Sequence, residues 1–356
     1  MEKGQLRFGI FDSLDASGAP MRQLYDERLQ MIEAAEAAGF YCYHVAEHHC
    51  TPLSMAPSPA LFLASVAEHT SQIRLGPLCY LLPLYNPLRL VEEICMLDHL
   101  SNGRLELGVS RGVSPYELGF FGVDAAGSRP IFSEALAVVI AGLTSERLTF
   151  EGEHFRFDNV PMELRPLQEP YPPLWYPTTE LASMPNVAGN GYNFVALGPA
   201  ERVRLLVDEY WRVWAEHRDE PGRLNAHVAD PIVGINRHVL ITDSDEQALT
   251  LARSAHSTWN SSILKLWHDH GDDRDDAKFS WETATEHDTF IFGSPDTVRE
   301  KMQRLVEVSG VNYLNLTFAW GSLTLEETMR SLELFTEEVM PELSAGGSLV
   351  AEMTDA

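Results

Sequence analysis

Leu97-Asp98-His99-Leu100-Ser101-Asn102-Gly103-Arg104-Leu105-Glu106-Leu107-Gly108-Val109 is the stretch on which the fold turns. A helix running from Leu88 to Leu100 stops at Ser101-Asn102-Gly103, a polar, glycine-bearing end signal. Arg104 to Val109 then reads as a strand. The same alternation continues on both sides. Upstream lie a strand at Leu6 to Phe11, a helix from Met21 to Ala38, a strand at Phe40 to Val45, a helix at Ala60 to His69 and a strand at Ile73 to Leu82. In the first helix Leu24, Leu29, Ile32, Ala35 and Ala38 share one face, and Gly39 closes it. Downstream come a helix at Ile131 to Leu143 and strands at Leu174 to Thr178 and Asn193 to Leu197. A helix at Arg202 to Glu216, strands at Val228 to Ile241 and Val311 to Phe318, and a helix from Leu325 to Val339 complete the series. Arg147 to Phe157 alternates around Gly152 as a small added hairpin.

Eight β units alternating with helices predict a parallel sheet. Right-handed crossovers leave a closed barrel or a doubly wound sheet. The count of eight over this length favours an α/β fold of the (β/α)8 TIM-barrel type, as one domain over residues 1–356. Asp12, Ser13 and Leu14 follow the first strand, not a glycine-rich dinucleotide turn. One segment breaks the rhythm. Ser257 to Asp288 carries Trp259, Trp267 and Trp281 among histidines and aspartates, and reads as a long irregular insertion before the last β/α unit, a mobile lid over 257–288. Residues 344–356 read as a flexible tail.

The chain of 356 residues has 26 cationic against 52 acidic side chains, a formal charge of −26. Such a surface repels nucleic acid and anionic membranes. Cys42, Cys50, Cys79 and Cys95 form no C-x-x-C pair and read as free thiols in a reducing cytosol. No signal peptide and no apolar run of membrane-spanning length is seen, so a cytoplasmic location is expected.

Strand C-termini carry the active site of a barrel, which directs attention to four places. Glu47-His48-His49 follows the second strand. These side chains suit a metal, but the later strand ends supply no further ligand and Arg111 would repel a cation, so no metal is expected. Hydrogen-bonded neighbours of the rim are the alternative for both histidines. Arg111-Gly112 follows the fourth strand. The guanidinium is a fork for phosphate and glycine admits close backbone approach, although an exposed arginine paired with a carboxylate has the same sequence. Thr178-Thr179 ends the fifth strand and offers hydroxyl donors, or simply β propensity. Cys79, in the apolar Leu78-Cys79 run, fits an inert buried thiol better than a nucleophile.

Four segments together resemble one family. They are Ala46-Glu47-His48-His49; Arg74-Leu75-Gly76 with Leu82-Pro83-Leu84-Tyr85-Asn86-Pro87-Leu88-Arg89; Leu97 to Leu105 as quoted; and Gly108-Val109-Ser110-Arg111-Gly112. Phe121-Gly122 with Ser128-Arg129, and Gly293-Ser294-Pro295, are weaker echoes. The order and spacing are similar to those of the bacterial luciferase-like flavin monooxygenases, from Leu6 to Leu343. The resemblance implies a barrel that binds reduced FMN, with O2 as co-substrate and a separate flavin reductase as transient partner. It also implies a small hydrophobic organic substrate of carbonyl type, and a homodimer. It makes His48 the catalytic acid/base or hydrogen-bond donor. Leu78-Cys79 matches the family's cis peptide beneath the flavin, and Arg111 with Gly112 matches the phosphate end. At the fifth strand the family pattern of Glu-Ser is replaced by Thr179 and Glu180, so Thr178, Thr179 and Ser183 are the cofactor-binding candidates there. Ser110 stands where luciferase has cysteine, which argues against light emission. A deazaflavin-dependent oxidoreductase of the same fold is the nearest alternative, but His48-His49-Cys50-Thr51 lacks the aromatic usual in that branch. A non-catalytic flavin-binding subunit is the other. Phe11, Tyr80, Phe318 and Trp320 are candidates to line a substrate pocket, with ordinary core as the favoured alternative for each.

Overall fold

The computed structural model describes residues 6–346. Its strands are β1 (Arg7–Asp12), β2 (Cys42–Val45), β3 (Arg74–Pro77), β4 (Tyr80–Leu81), β5 (Leu107–Ser110), β6 (Arg147–Glu151), β7 (Arg156–Pro161), β8 (Leu174–Trp175), β9 (Phe194–Ala196), β10 (Val233–Ile241), β11 (Phe290–Gly293) and β12 (Tyr313–Thr317). The helices are α1 (Met21–Ala37), α2 (Pro59–His69), α3 (Pro87–Leu100), α4 (Pro115–Phe120), α5 (Ser128–Thr144), α6 (Met184–Gly189), α7 (Ala200–His217), α8 (Asp245–Asp269), α9 (Trp281–Glu286), α10 (Pro295–Ser309), α11 (Leu325–Leu334) and α12 (Met340–Gly346).

The sheet is parallel and curled. One run of strands is ordered β11-β10-β12-β1-β2-β3, with β9 also on β10, and a second is ordered β4-β5-β8. Parallel bridges at Leu75–Leu105 and Trp175–Asn193 carry the pairing between the two runs. Each of the eight expected strands therefore has a parallel neighbour on both sides, with β3 and β4 counted as one strand interrupted at the cis Leu78–Cys79 peptide. At the β3–β5 seam the backbones come so close that a Cβ on Gly76 would lie 2.0 Å from the Glu106 carbonyl oxygen. Only glycine fits there. The hairpin β6–β7 is antiparallel and stands apart, as its alternation predicts.

Local chemistry fixes the elements. Pro87 opens α3 behind Asn86, whose side chain accepts from the Leu88 and Arg89 amides, a strong N-cap. Thr324 and Glu327 form a reciprocal capping box on α11. Gly310 closes α10 at φ +68°. The main core runs from Leu6, just before β1, to Leu343 on α12, between the outer face of the strands and the helices.

The structure corrects the reading of 257–288. Residues 257–269 are the second half of α8, a helix of 25 residues capped by Ser244, and only 270–280 are irregular before α9. The buried residues of α8 are Ala248, Ala252, Ala255, His256, Trp259, Ser262, Leu264 and Leu266. That is helical spacing, but alanine, histidine and serine carry it, so the apolar signal is faint. The strand β11 and the helix α10 were not expected either. Phe290-Ile291-Phe292-Gly293 pairs with the upper half of β10 and widens the sheet beyond the eight strands. Of the expected tail, 344–346 end α12, and 347–356 lie outside the described residues. Among the described residues no helix is long and apolar enough to cross a membrane.

Candidate active site

Parallel strands place all their C-terminal ends on one rim. His48 stands just beyond β2, Cys79 between β3 and β4, Arg111 directly after β5, and Thr178 and Thr179 just beyond β8. The rim holds two carboxylate–imidazole pairs. Glu47 Oε1 lies 2.8 Å from His49 Nε2, and its Oε2 accepts from the Leu81 amide at 3.0 Å. Glu117 Oε1 lies 3.2 Å from His48 Nδ1, and its Oε2 accepts from the His49 amide at 3.0 Å. Glu47 is buried, and that burial raises its pKa against the hydrogen bonds from His49 and Leu81. Each imidazole thus takes its own carboxylate. Among the described residues no three His, Cys, Asp or Glu side chains converge to hold a metal ion.

His48 opens onto a cavity of about 220 Å³. Thr51, Leu53, Val113 and Glu117 line it from the rim loops and α4. Ile263, Leu266, Trp267, Asp275, Lys278 and Phe279 line it from α8 and the loop that follows. The 257–288 segment thus supplies six of the lining residues, three from the helix and three from the loop. It is tied down where the Thr51 hydroxyl donates to the Ser262 carbonyl at 3.0 Å. Its base packs into a second core of Leu53, Leu240, Trp259, Phe290, Trp320 and Leu323.

Arg111 is half-buried. Its guanidinium donates to Ser128 Oγ at 3.1 Å and to the Ala125 carbonyl at 3.5 Å, with no carboxylate partner among the described residues. Gly112 is buried at φ +86°, packed between Leu118 and Leu81. Cys79 hydrogen-bonds Ser110, and its burial pushes the thiol up to about 12, which makes it inert. Leu78 faces the barrel interior with Trp175, Val195, Ile232 and Tyr313. The Tyr176 phenol, raised by burial, also feels the charges of Arg129 and Arg111, which brings the β8 end near the arginine. The hydroxyl of Thr178 is engaged locally, accepting from the Glu180 amide at 3.1 Å. Thr179 offers its carbonyl to Arg202 at 3.3 Å. Ser183 ends a short 3-10 turn before α6, half-exposed.

Phe318, Tyr80 and Trp320 are core. Phe318 packs edge-on to Phe40 and Phe335, Tyr80 packs on Tyr85, and Trp320 lies in the second core. None of them, nor Phe11, lines the His48 cavity. Glu117 was missed by the sequence reading. Its signal was there: Ser114-Pro115-Tyr116-Glu117 is an N-cap serine, a first-turn proline and a glutamate at the third helical position, and Ser114 does accept from the Glu117 amide.

A curled parallel sheet with a charged, cavity-bearing rim defines an α/β-barrel enzyme scaffold. The sequence model of the luciferase-like monooxygenases matches residues 6–312, and the chain belongs to that family. Protein y4wF of Sinorhizobium fredii is 39% identical over 94% of this chain and 97% of its own length. The oxygenase component of the flavin-dependent trigonelline monooxygenase of Acinetobacter baylyi is 26% identical over 95% and 96%. Among solved structures, the monooxygenase RslO1 of Streptomyces bottropensis superposes with a TM-score of 0.82 at 25% identity, over 95% and 99% of the two chains. The oxygenating constituent of 3,6-diketocamphane monooxygenase of Pseudomonas putida, in complex with FMN, gives 0.75 at 21%, over 95% and 98%. The coenzyme F420-dependent tetrahydromethanopterin reductase of Methanopyrus kandleri gives 0.68 at 19%, over 95% and 99%.

Proposed function

We propose that this chain is the oxygenase of a two-component system, which takes reduced FMN from a separate reductase and uses O2 to oxidise a small hydrophobic organic substrate of carbonyl type. The observation that carries the reading is His48, held by Glu117 on the wall of a cavity whose other walls include Leu53, Ile263, Leu266, Trp267 and Phe279. The names of two relatives support it: one is a flavin-dependent oxygenase component, and one was solved with FMN.

The residues fit the cofactor. In a chain of charge −26, a half-buried arginine without a carboxylate partner suits the phosphate tail. Gly112 lets the backbone beside it approach closely, and the hydroxyls of Thr178, Thr179 and Ser183 complete the donor set. Leu78 and Cys79 would support the ring system on an apolar surface. Bound reduced FMN would supply the two electrons that activate O2.

The chain's own work is positional. Glu117 is an acceptor, so the Nδ1 of neutral His48 carries the proton and Nε2 presents a lone pair to the cavity. Once protonated, Nε2 donates to an oxygen there, which suits an acid/base role. Trp267, Phe279, Leu266 and Ile263 keep water out.

The test is anaerobic titration with reduced FMN, followed by tryptophan fluorescence, since Trp267 lines the cavity. Turnover with a generic reductase and labelled O2 follows. Binding of reduced FMN and one labelled oxygen atom per product are expected. Binding of reduced F420 but not reduced FMN would replace this reading with the deazaflavin one.

A further inference from the structure

We infer that Tyr116 is a positioning residue for His48, acting through Glu117 and set by the segment that walls the cavity. The helix α4 spans six residues, Pro115–Phe120. A helix so short has little stability of its own, so its contacts decide where it sits. Neighbouring helical residues face different ways, and here Tyr116 and Glu117 do. Glu117 turns inward to His48 Nδ1 and the His49 amide. Tyr116 turns to the α8 end and its loop. Its ring stacks on His270 at 4.1 Å and 18°, and meets Trp267 edge-on at 5.7 Å. Its hydroxyl donates to Asp272 Oδ2 at 3.2 Å.

Those three partners are themselves fixed. His270 Nδ1 donates to the Leu266 carbonyl at 2.8 Å. Arg274 Nε donates to Asp272 Oδ1 at 2.8 Å. Trp267 is a wall of the cavity onto which His48 opens. The chain of contact is therefore continuous: the 267–274 segment holds Tyr116, Tyr116 fixes α4, and α4 carries the carboxylate that orients His48. When the segment is displaced, Glu117 moves with it and the imidazole loses its fixed tautomer and direction.

The consequence for turnover rests on the proposed oxygenase function, but the coupling itself does not, and the experiment separates them. Protein with 15N-labelled histidine gives an Nδ1–H signal for His48 without any cofactor. In Tyr116→Ala that signal is expected to broaden and exchange faster with water. The kcat with reduced FMN should fall about tenfold, since displacements near 1 Å cost up to about a hundredfold, while affinity for reduced FMN stays unchanged. Tyr116→Phe, which keeps the stack on His270, should restore most of both. His270→Ala attacks the same contact from the other side, removes one surface ring only, and should reproduce the alanine variant in weaker form. A native His48 signal in both Tyr116→Ala and His270→Ala overturns the inference, and so does a Tyr116→Ala variant whose FMN affinity falls as far as its kcat. A coupled signal in a protein that never takes up reduced FMN would leave the inference standing and remove the oxygenase reading.

Discussion

Glu117 Oε1 lies 3.2 Å from His48 Nδ1 across 69 positions of sequence, and the second oxygen of the same carboxylate accepts from the His49 amide at 3.0 Å. One buried side chain thus fixes both the ring and the backbone of the β2 loop. The carboxylate is 3% exposed and the imidazole of His48 25% exposed, so the pair spans the boundary between the interior and the cavity.

Replacing Glu117 tests that arrangement. Glu117→Gln keeps an acceptor for the His49 amide but replaces the carboxylate that meets His48 Nδ1 with a neutral amide. We expect kcat/KM for O2-dependent turnover to drop about 100-fold, the lower end of what a positioned acid/base group contributes. Thermal stability should change little. A Gln variant with wild-type kcat/KM would show that the carboxylate serves only the loop.

Arg111 is the test of the cofactor tail. Its guanidinium is oriented by Ser128 and Ala125, and among the described residues it has no carboxylate to release. Arg111→Met should weaken reduced FMN by about 1.5–3 kcal/mol, a tenfold to hundredfold rise in Kd, the scale of a charge-assisted hydrogen bond. Fluorescence titration measures it directly. Riboflavin, which lacks the phosphate, should bind wild type and variant alike, and equal losses for both flavins would remove Arg111 from the phosphate.

Two buried groups make opposed contributions to the pH dependence of stability. His44 is fully buried between Trp175 and Tyr313, and burial lowers its pKa from 6.5 to about 3. Between those values the unfolded chain binds the extra proton, so this contribution to stability rises with pH, by up to about 1.4 kcal/mol per unit. Asp15 is also fully buried. Burial raises it from 3.8 to about 6, against the lowering by Arg28 and the Gly321 amide. Between those values the folded chain binds the extra proton, so this contribution falls as pH rises. From about pH 4 to about pH 6 the two oppose each other. Urea unfolding across that window should show a more negative slope against pH in His44→Phe and a more positive one in Asp15→Asn, relative to the parent. Parallel slopes in all three proteins would mean that neither group titrates as described.

The strands and the long amphipathic helices were legible because burial imposes a regular spacing on Leu, Ile and Val. The helix α8 was not, because small or polar residues, Ala248, Ala252, Ala255, His256 and Ser262, make up most of its buried face, with Trp259, Leu264 and Leu266 only in its second half. The strand β11 was not either, because its four residues, Phe290-Ile291-Phe292-Gly293, are too few to show a period. At the site, His48 and Arg111 stood out as unusual side chains at strand ends. Glu117 did not, since a carboxylate in a chain of 52 acidic residues is unremarkable until the fold carries it to the imidazole. The cavity walls Ile263, Leu266 and Phe279 were out of reach for the same reason.

The sequence most suggestive of the family turns out to be scaffold. Asp98 Oδ2 accepts from the Leu167 and Gln168 amides at 2.8 Å each, and its Oδ1 accepts from Gln168 Nε2 at 2.7 Å, which anchors the loop leading to β8. Arg104, 9% exposed, donates from Nε to the Ser101 carbonyl, from one terminal nitrogen to Thr70 Oγ1 and the Ile73 carbonyl, and from the other to the Ala67 and Thr70 carbonyls, all at 2.7–3.0 Å. It stitches the end of α2, the start of β3 and the turn after α3. Lysine cannot reproduce this, because one ammonium offers three donors from a single point and the guanidinium spreads five over a plane. Arg104→Lys should therefore leave two or more acceptors unmet, at about 1–3 kcal/mol each, and lose about 3 kcal/mol net. The urea midpoint should fall with the slope of the transition unchanged, which marks lost stability and not a different unfolded state. Arg104 precedes β5, at the opposite end of the strands from His48, so the folded variant should bind reduced FMN as tightly as the parent. A variant that keeps its stability but loses the flavin would place this arginine in the site and undo the division between frame and rim.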